Sequence, residues 1–330
     1  MRLGVIYEPN GNAYYRAIDP MKAMERRGHE VVWPDGDACA DPRRYTECEV
    51  LHVYRCNSEN THQVLRRLAR GGTAITFDND DDHIHVPKET SGYKYVGGAA
   101  GQRTFAATMR VARLARAVTT TSEVLAEKYR SSGVERVSVI PNQLNPAVDR
   151  SRHNHKGVVI GWIAAAEHQA DIRRLGIADA LQRVLNKHPQ ARVECIGVDL
   201  KLRSERYRHD RFVAFQDLPQ RIGGFDIGIA PLADIPFNRA RSDIKLKEYA
   251  ASGVPWLASP VGPYRGLGEQ QGGWLVPQDG WYEALDRLVS SRAKRWWLGR
   301  RARRWARTQT IEAVADRWEQ VFVEAAGERA

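Results

Sequence analysis

The chain lacks most of the short signatures from which a function is commonly read. Its four cysteines (Cys39, Cys48, Cys56 and Cys195) form no CxxC pair and no dense framework in 330 residues. That excludes a small disulfide-stapled scaffold and leaves free thiols in a reducing compartment as the expectation. No uncharged apolar run approaches the roughly 18 residues of a membrane span, and the opening MRLGVIYEPN turns polar after seven residues, too early for a secretory leader. The expected location is the cytoplasm. The first loop, YEPNGNAYYR, holds one glycine, Gly11, where a dinucleotide fingerprint needs three, and no Walker phosphate loop occurs. Internal repeats and low-complexity tracts are absent as well.

What is present is an ordinary globular composition, 42% hydrophobic and 27% charged, on a length that suits two domains of about 150 residues each. The net charge is +10, from 50 basic and 40 acidic side chains. It is concentrated: from Arg292 to Arg307 the segment RAKRWWLGRRARRWAR carries eight Lys/Arg and no acid, leaving +2 for the remainder. Such a segment attracts a polyanion such as DNA, or an anionic membrane surface, which would make the protein peripheral at the inner membrane face. The alternative is a solvated helix face whose Trp296, Trp297 and Trp305 pack inward.

Short β-rich runs alternate with amphipathic stretches. LGVIY precedes a helix from about Tyr14 to Arg27; EVVW, EVLHVY, the helix THQVLRRLAR, TAITF, AVTTT and a helix from Ser122 follow. After a Pro/Asn/His/Arg-rich joint at residues 141–156 the rhythm restarts with GVVIGWI, a helix to Asn186, ARVECIGV, RFVAF, FDIGIAPL, a helix at residues 245–251 and PWLAS. Strands separated by helices predict an α/β chain with two doubly wound parallel sheets. Ligands then belong beyond the carboxyl ends of the strands, in the cleft between the domains.

One acidic segment falls there. ITFDNDDDHIHVP, residues 75–87, follows the strand TAITF and packs four aspartates with His83 and His85. Carboxylates this close and unpaired repel, which raises at least one pKa. Asp80, Asp81 or Asp82 is a candidate to orient or deprotonate a hydroxyl, with His83 or His85 for proton traffic. A solvated loop capping the next helix is the plainer alternative, and a divalent metal at Asp80–Asp82 a further one. The following HVPKETSGYKYVGGAAGQR, rich in Gly, Lys and Tyr, is expected to be a mobile specificity loop.

The strongest pattern runs from Phe225 to Tyr264, FDIGIAPLADIPFNRARSDIKLKEYAASGVPWLASPVGPY. It resembles the donor-site segment of GT-B glycosyltransferases, particularly the retaining family-four group, whose Lys-x-x-Glu helix ends in small-Gly-Val-Pro. NAYYRAIDPMKAMERRGHEV, VIPNQLN, IGWIAAAEHQAD and TQTIEAVADRWEQVF are similar, in order, to that family's first loop and helix, domain joint, second-domain opening and terminal helix. The resemblance implies two Rossmann-like domains, 1–149 for the acceptor and 150–308 for the donor, with 309–330 crossing back to the first. It implies a hexose-like sugar moved with retention, and without a bound metal, from a nucleotide diphosphate such as UDP to a hydroxyl of a glycan, lipid or small molecule. Donor contacts are expected from Gly11, Asn12, Gly161, His168, Arg173, Asp217, Leu218, Ser242, Asp243, Ile244, Lys245 and Glu248. Acceptor contacts are expected from Tyr14, Lys88, Tyr93, Lys94 and Arg103. A helix amino end after Ser242 suits a diphosphate, and Lys245 and Glu248 share a helix face. One position departs from the family: where it carries its first glutamate, eight residues before Glu248, this chain has Ala240, and Asp234 or Asp243 is the available substitute. Two further functions stay open, glycosylation of a hydroxymethylated DNA base and a non-catalytic module that binds nucleotide sugar or nucleic acid.

Overall fold

A computed structural model describes residues 1–35 and 42–327. The first sheet contains β1 (Arg2–Tyr7), β2 (Glu30–Val32), β3 (Val50–Tyr54), β4 (Ala74–Asp78), β5 (Ala117–Thr120) and β6 (Val137–Val139), in spatial order β2-β1-β3-β4-β5-β6. The second contains β7 (Val158–Ala164), β8 (Ala191–Gly197), β9 (Tyr207–Asp210), β10 (Ile227–Ala230), β11 (Trp256–Ala258) and β12 (Gly273–Leu275), in order β12-β11-β10-β7-β8-β9. Every pairing is parallel. The expected α/β architecture of two doubly wound sheets is present. Because a strand points successive side chains to opposite faces, Leu3 and Val5 pack on one side of β1 and Ile6 on the other, under separate helical layers.

The strand expected at RFVAF lies earlier, at Tyr207–Asp210. β9 pairs with β8 only as far as Ile196↔Asp210, and β8 ends at Gly197 with φ +106°. Beyond that turn no neighbour remains to pair with, so Phe215–Asp217 forms a 3₁₀ turn instead. The expected helix after β1 starts as a five-residue π turn, Tyr14–Ile18, before the α-helix Asp19–Arg26. The sequence from Tyr93 is folded too, as the short helix Tyr93–Val96 and the helix Gly98–Ala112, which corrects the expectation of a loop there. Cys48 and Cys195 are buried free thiols; Cys39 lies outside the described residues.

The chain crosses between the sheets twice, and the crossings bind each other. The N–H of Leu144 donates to Gln309 O (2.9 Å), and the N–H of Ile311 donates to Leu144 O (2.9 Å). The closing helix Ala315–Gly327 then buries Trp318, Val321, Phe322 and Ala325 in the core of the first sheet, against Leu3, Val5, Met21 and Met24. Trp318 is fully buried, with its ring 5.5 Å from His52 and 6.0 Å from Phe322. Replacing it by alanine removes a large side chain from a closed site, so Trp318→Ala is expected to cost about 3–5 kcal/mol in denaturant unfolding. A loss under about 1 kcal/mol would show that the closing helix is dispensable to the first core.

Candidate active site

Each sheet reverses its strand order once, between β1 and β3 in the first and between β7 and β10 in the second. At such a switch neighbouring loops diverge and leave a crevice. The loops beyond these carboxyl ends meet across the domains. Tyr15 donates its hydroxyl to Glu248 Oε1 (2.5 Å), Tyr14 stacks on Phe215 with centroids 4.5 Å apart, and Lys247 Nζ donates to Asn142 O (2.9 Å). Arg174 reaches Glu89 (3.2 Å), and Ser122 donates to the carbonyl of Ala240 (2.9 Å).

The π turn at Tyr14–Ile18 carries both Tyr15 and Arg16 inward. Arg16 is fully buried. Its Nε and Nη2 donate to Asp78 (3.0 and 2.6 Å), its Nη1 donates to Asn142 Oδ1 (3.2 Å) and Ile140 O, and its guanidinium lies 5.0 Å from the Trp318 ring. Asn142 in turn donates to Ser242 Oγ (3.2 Å), ahead of the helix Ile244–Ala251. One buried chain of hydrogen bonds thus runs from the carboxyl end of β4 to the helix that bears Lys245 and Glu248.

The acidic segment differs from its expectation, because its carboxylates are neutralised one by one. Asp78 is held by Arg16 and Thr119. Asp80, 3% exposed, accepts from Arg55 (2.6 Å), Tyr54 (3.0 Å) and Asn12 (2.8 Å). Asp82 pairs with Lys128 and His85 and accepts the N–H groups of Ile84 (3.1 Å) and His85 (3.3 Å), closing a turn. Burial would raise Asp80 and Asp82, but Arg55 and Lys128 outweigh it and hold both below the usual carboxylate range. The anticipated mutual repulsion is absent, and Asp80 and Asp82 are occupied rather than presented. Asp81 and His83 remain to line a cavity of about 560 Å³ with Glu8, Arg55, Thr90 and Glu167. Burial keeps His83 below its usual value, against the opposing charge of Asp81, so the imidazole is neutral at pH 7. Arg55 takes a left-handed backbone, φ +58°, at the carboxyl end of β3, a strain tolerated where its fork reaches both Asp80 and Asp81. Among the described residues no group of three or more His, Cys, Asp or Glu is placed to hold a metal ion.

Across the cleft, His168 is buried between Asp171 (Nδ1 to Oδ2, 2.6 Å) and Lys245 (Nε2 to Nζ, 2.9 Å). Asp171 also accepts from Ala233 N–H and Asn238 Nδ2, both 2.7 Å. Burial, with Lys245 and Arg241 beside it, drives His168 well below its normal range. Its Nδ1–H therefore points to Asp171, and Nε2 accepts from Lys245. Burial and the Arg241 charge also push Lys245 down to about 7. Arg241 binds Glu167 (2.8 Å), whose carboxyl falls to about 2 as Arg241 outweighs its burial. Burial raises Glu248, and its Tyr15 hydrogen bond opposes the shift.

Several expected donor residues lie elsewhere. Arg173 is exposed, and Arg241, one turn before Lys245, supplies the second cation. Gly161 sits inside β7, where a side chain would strike the Phe225 ring; it is a packing glycine. Gly11 packs against Phe215 and Asn12 holds Asp80. Asp217 is exposed, while Leu218 lines a second cavity of about 560 Å³ with Ile163, Val198, Phe212 and Val213. The two cavities share Ser91 and Ala166. Asp243 is paired with Lys247 (2.8 Å) and Asp234 with Arg239 (2.6 Å), so neither is presented in place of the glutamate replaced by Ala240. Of the acceptor residues, Tyr14 is engaged with Phe215, Tyr93 packs on Gly97 and Gly98, and Lys88, Lys94 and Arg103 are exposed outside the cavity lining. No sequence motif marks Tyr15, Arg16, Arg55, Glu167 or Arg241. Arg241 stands ahead of the helix that begins at Ile244, so no helical spacing to Lys245 marks it.

A lysine near neutrality next to an arginine gains a proton when a dianion arrives. Anion affinity at this site is therefore expected to be highest below pH 7 and to fall as the pH rises through about 7, with proton uptake in calorimetry repeated at pH 8 in buffers of different ionisation enthalpy. Lys245→Met should abolish the uptake; uptake unchanged in that variant would assign the proton elsewhere.

No protein-family model and no curated protein sequence matches the chain. Solved structures do. Sucrose-phosphate synthase from Thermosynechococcus elongatus superposes with TM-score 0.65 at 16% identity, covering 98% of both chains. HepE from Anabaena, in complex with UDP and glucose, gives 0.67 at 14% identity over 98% of this chain and 99% of that one. The catalytic domain of starch synthase IV from Arabidopsis thaliana, bound to ADP and acarbose, gives 0.67 at 12% identity over 99% of both. The chain has the GT-B fold that these glycosyltransferases share, two Rossmann-like domains facing across a cleft, with the closing helix returned to the first.

Proposed function

We propose that the cleft transfers a sugar from a nucleotide diphosphate sugar to a hydroxyl acceptor, with retention of configuration, and that UDP is the first nucleotide to test because HepE binds UDP-glucose. The observation that carries this is that Glu167, which lines one cavity with Asp81 and His83, is bound by Arg241 (2.8 Å), so that Arg241 feels the Asp81 charge and stands with Lys245 at the amino end of the helix Ile244–Ala251. In the proposed step the bond from the anomeric carbon to the diphosphate breaks and its electron pair leaves on the phosphate oxygen. Arg241, Lys245 and the helix amino end take up that charge. The acceptor oxygen bonds to the anomeric carbon, on the face the diphosphate leaves, and passes its proton to the departing phosphate oxygen. Neutral His83, beside Asp81, positions that hydroxyl. Glu248 exchanges the Tyr15 hydroxyl for the ribose hydroxyls, and the apolar cavity at Leu218, Val198 and Val213 receives the base. The acceptor is a glycan, lipid-linked or small-molecule hydroxyl. The basic segment gives no support to a DNA acceptor, because it lies at the other end of the second sheet.

Thermal shifts with UDP, GDP, ADP and dTDP are expected to single out one nucleotide, with about 2.7 kcal/mol of stabilisation at a hundred times its dissociation constant. Glu248→Ala should weaken that binding. Asp81→Asn and His83→Ala should spare it and lower transfer by about 10²–10⁴-fold. Equal loss of nucleotide affinity in all three variants would contradict the division between domains, and binding without sugar transfer or release from any nucleotide sugar would leave a non-catalytic binder. Activity is expected to survive EDTA; complete loss restored by Mn²⁺ would place a metal in the mechanism.

A further inference from the structure

The basic segment forms the helix Arg292–Ala306, and one face of it walls a third cavity of about 560 Å³. Arg292, Arg295, Trp296, Arg300 and Arg303 line it from the helix. Opposite stand Arg152, His153, His155 and the residues just before three strands of the second sheet: Gly157 before β7, Asp226 before β10 and Pro255 before β11. The cavity therefore opens at the amino ends of the strands, whereas the cleft lies beyond their carboxyl ends.

Five arginines and two histidines line this recess against one acid, Asp226, which is already held by Arg152 (2.9 Å) and His155 (3.4 Å). Three of the arginines are fixed by carbonyl oxygens. Arg295 donates to Leu288 O (2.6 Å) and Val289 O (2.8 Å), Arg303 to Ser252 O (3.3 Å), and Arg152 to Phe225 O (2.6 Å). Arg292 and Arg300 have no carboxylate partner among the described residues, and Arg300 lies 5.1 Å from the ring of Trp296, which is 63% exposed at the rim. Burial lowers the pKa of Arg295, opposed by Asp226 and assisted by Arg292 and Arg152. Like charges crowded this way repel, and the amino end of a 15-residue helix adds to the same potential. The uncompensated field converges on a concavity of limited size instead of following a track across the surface, and that shape fits a compact group bearing several negative charges. Guanidinium forks match phosphate oxygens in pairs.

We propose that this recess is a second binding site, for a ligand carrying two or more clustered phosphate groups, with Arg292 and Arg300 as its recognition residues. The phosphates belong either to a soluble polyphosphate or to a phospholipid headgroup, and the test separates these sources. The exposed Trp296 ring is placed to sit at a membrane interface in the second case.

Inorganic triphosphate is titrated calorimetrically into the wild type, Arg292→Glu/Arg300→Glu and Lys245→Met. The double variant should keep the wild-type melting temperature, because neither side chain holds the fold, and should bind triphosphate at least about tenfold more weakly, whereas Lys245→Met binds it as the wild type does. Affinity unchanged in the double variant, or lost in Lys245→Met alone, would overturn the proposal; the latter would assign triphosphate to the cleft. Sedimentation with vesicles of phosphatidylcholine doped with cardiolipin, whose headgroup carries two phosphates, abolished in the double variant, identifies a headgroup. Triphosphate binding without sedimentation identifies a soluble ligand. Tight duplex-DNA binding that is lost equally on neutralising Arg301, Arg304 and Arg307, outside the recess, would replace the pocket by a nucleic-acid surface.

Discussion

The buried guanidinium of Arg16 is the constraint on which the rest of the molecule depends. It joins the end of β4 through Asp78, the domain joint through Ile140 and Asn142, and the closing helix through Trp318. These partners are remote in sequence, and removing any one would leave a buried charge partly unsatisfied, which costs several kcal/mol. Lysine cannot replace it, since a single ammonium has neither the planar fork that grips Asp78 nor a face for the Trp318 ring. The same charge sets the geometry of the cleft, because Asn142 carries the connection on to Ser242 and Lys247.

Around that hub the two halves of the cleft have opposite electrostatic designs. On the first domain, acid and base are matched pair by pair: Asp78 with Arg16, Asp80 with Arg55, Asp82 with Lys128. What is left facing the cavity is modest: Glu8, a partly exposed Asp81 that shares Arg55 with Asp80, and a neutral histidine. On the second domain the cations outnumber their partners. Arg241 is balanced by Glu167, but Lys245, hydrogen-bonded to a neutral imidazole, is brought close to deprotonation by burial and Arg241, which outweigh the charges of Glu167 and Asp171. Under the proposed function an arriving diphosphate relieves that imbalance, which would make electrostatic complementarity and protonation a single event.

The fold was legible because its evidence is local and cumulative. Alternation of apolar runs with amphipathic stretches marked nine of the twelve strands, and Ser58 and Ser122 cap the helices that follow them. Misplacement occurred where a partner, and not propensity, decides. RFVAF has the composition of a strand but no edge left to pair with. The site was legible only in part, for the same reason. Lys245, Glu248, His168 and His83 sit in patterns that point to their use, whereas the importance of Tyr15, Arg16 and Arg55 depends on what faces them across the fold.

The sequence by itself determined two doubly wound sheets, a carboxylate-rich strand end over a cleft, and a helix amino end opposite it, since periodicity, capping and turn chemistry act between near neighbours. Tertiary structure alone decided which carboxylates are presented and which are neutralised, where the second cation comes from, and that the basic helix faces away from the cleft. Those outcomes depend on charges meeting through folding rather than through the chain, and Coulomb energy depends on that spatial separation and on burial, neither of which a linear order of residues contains.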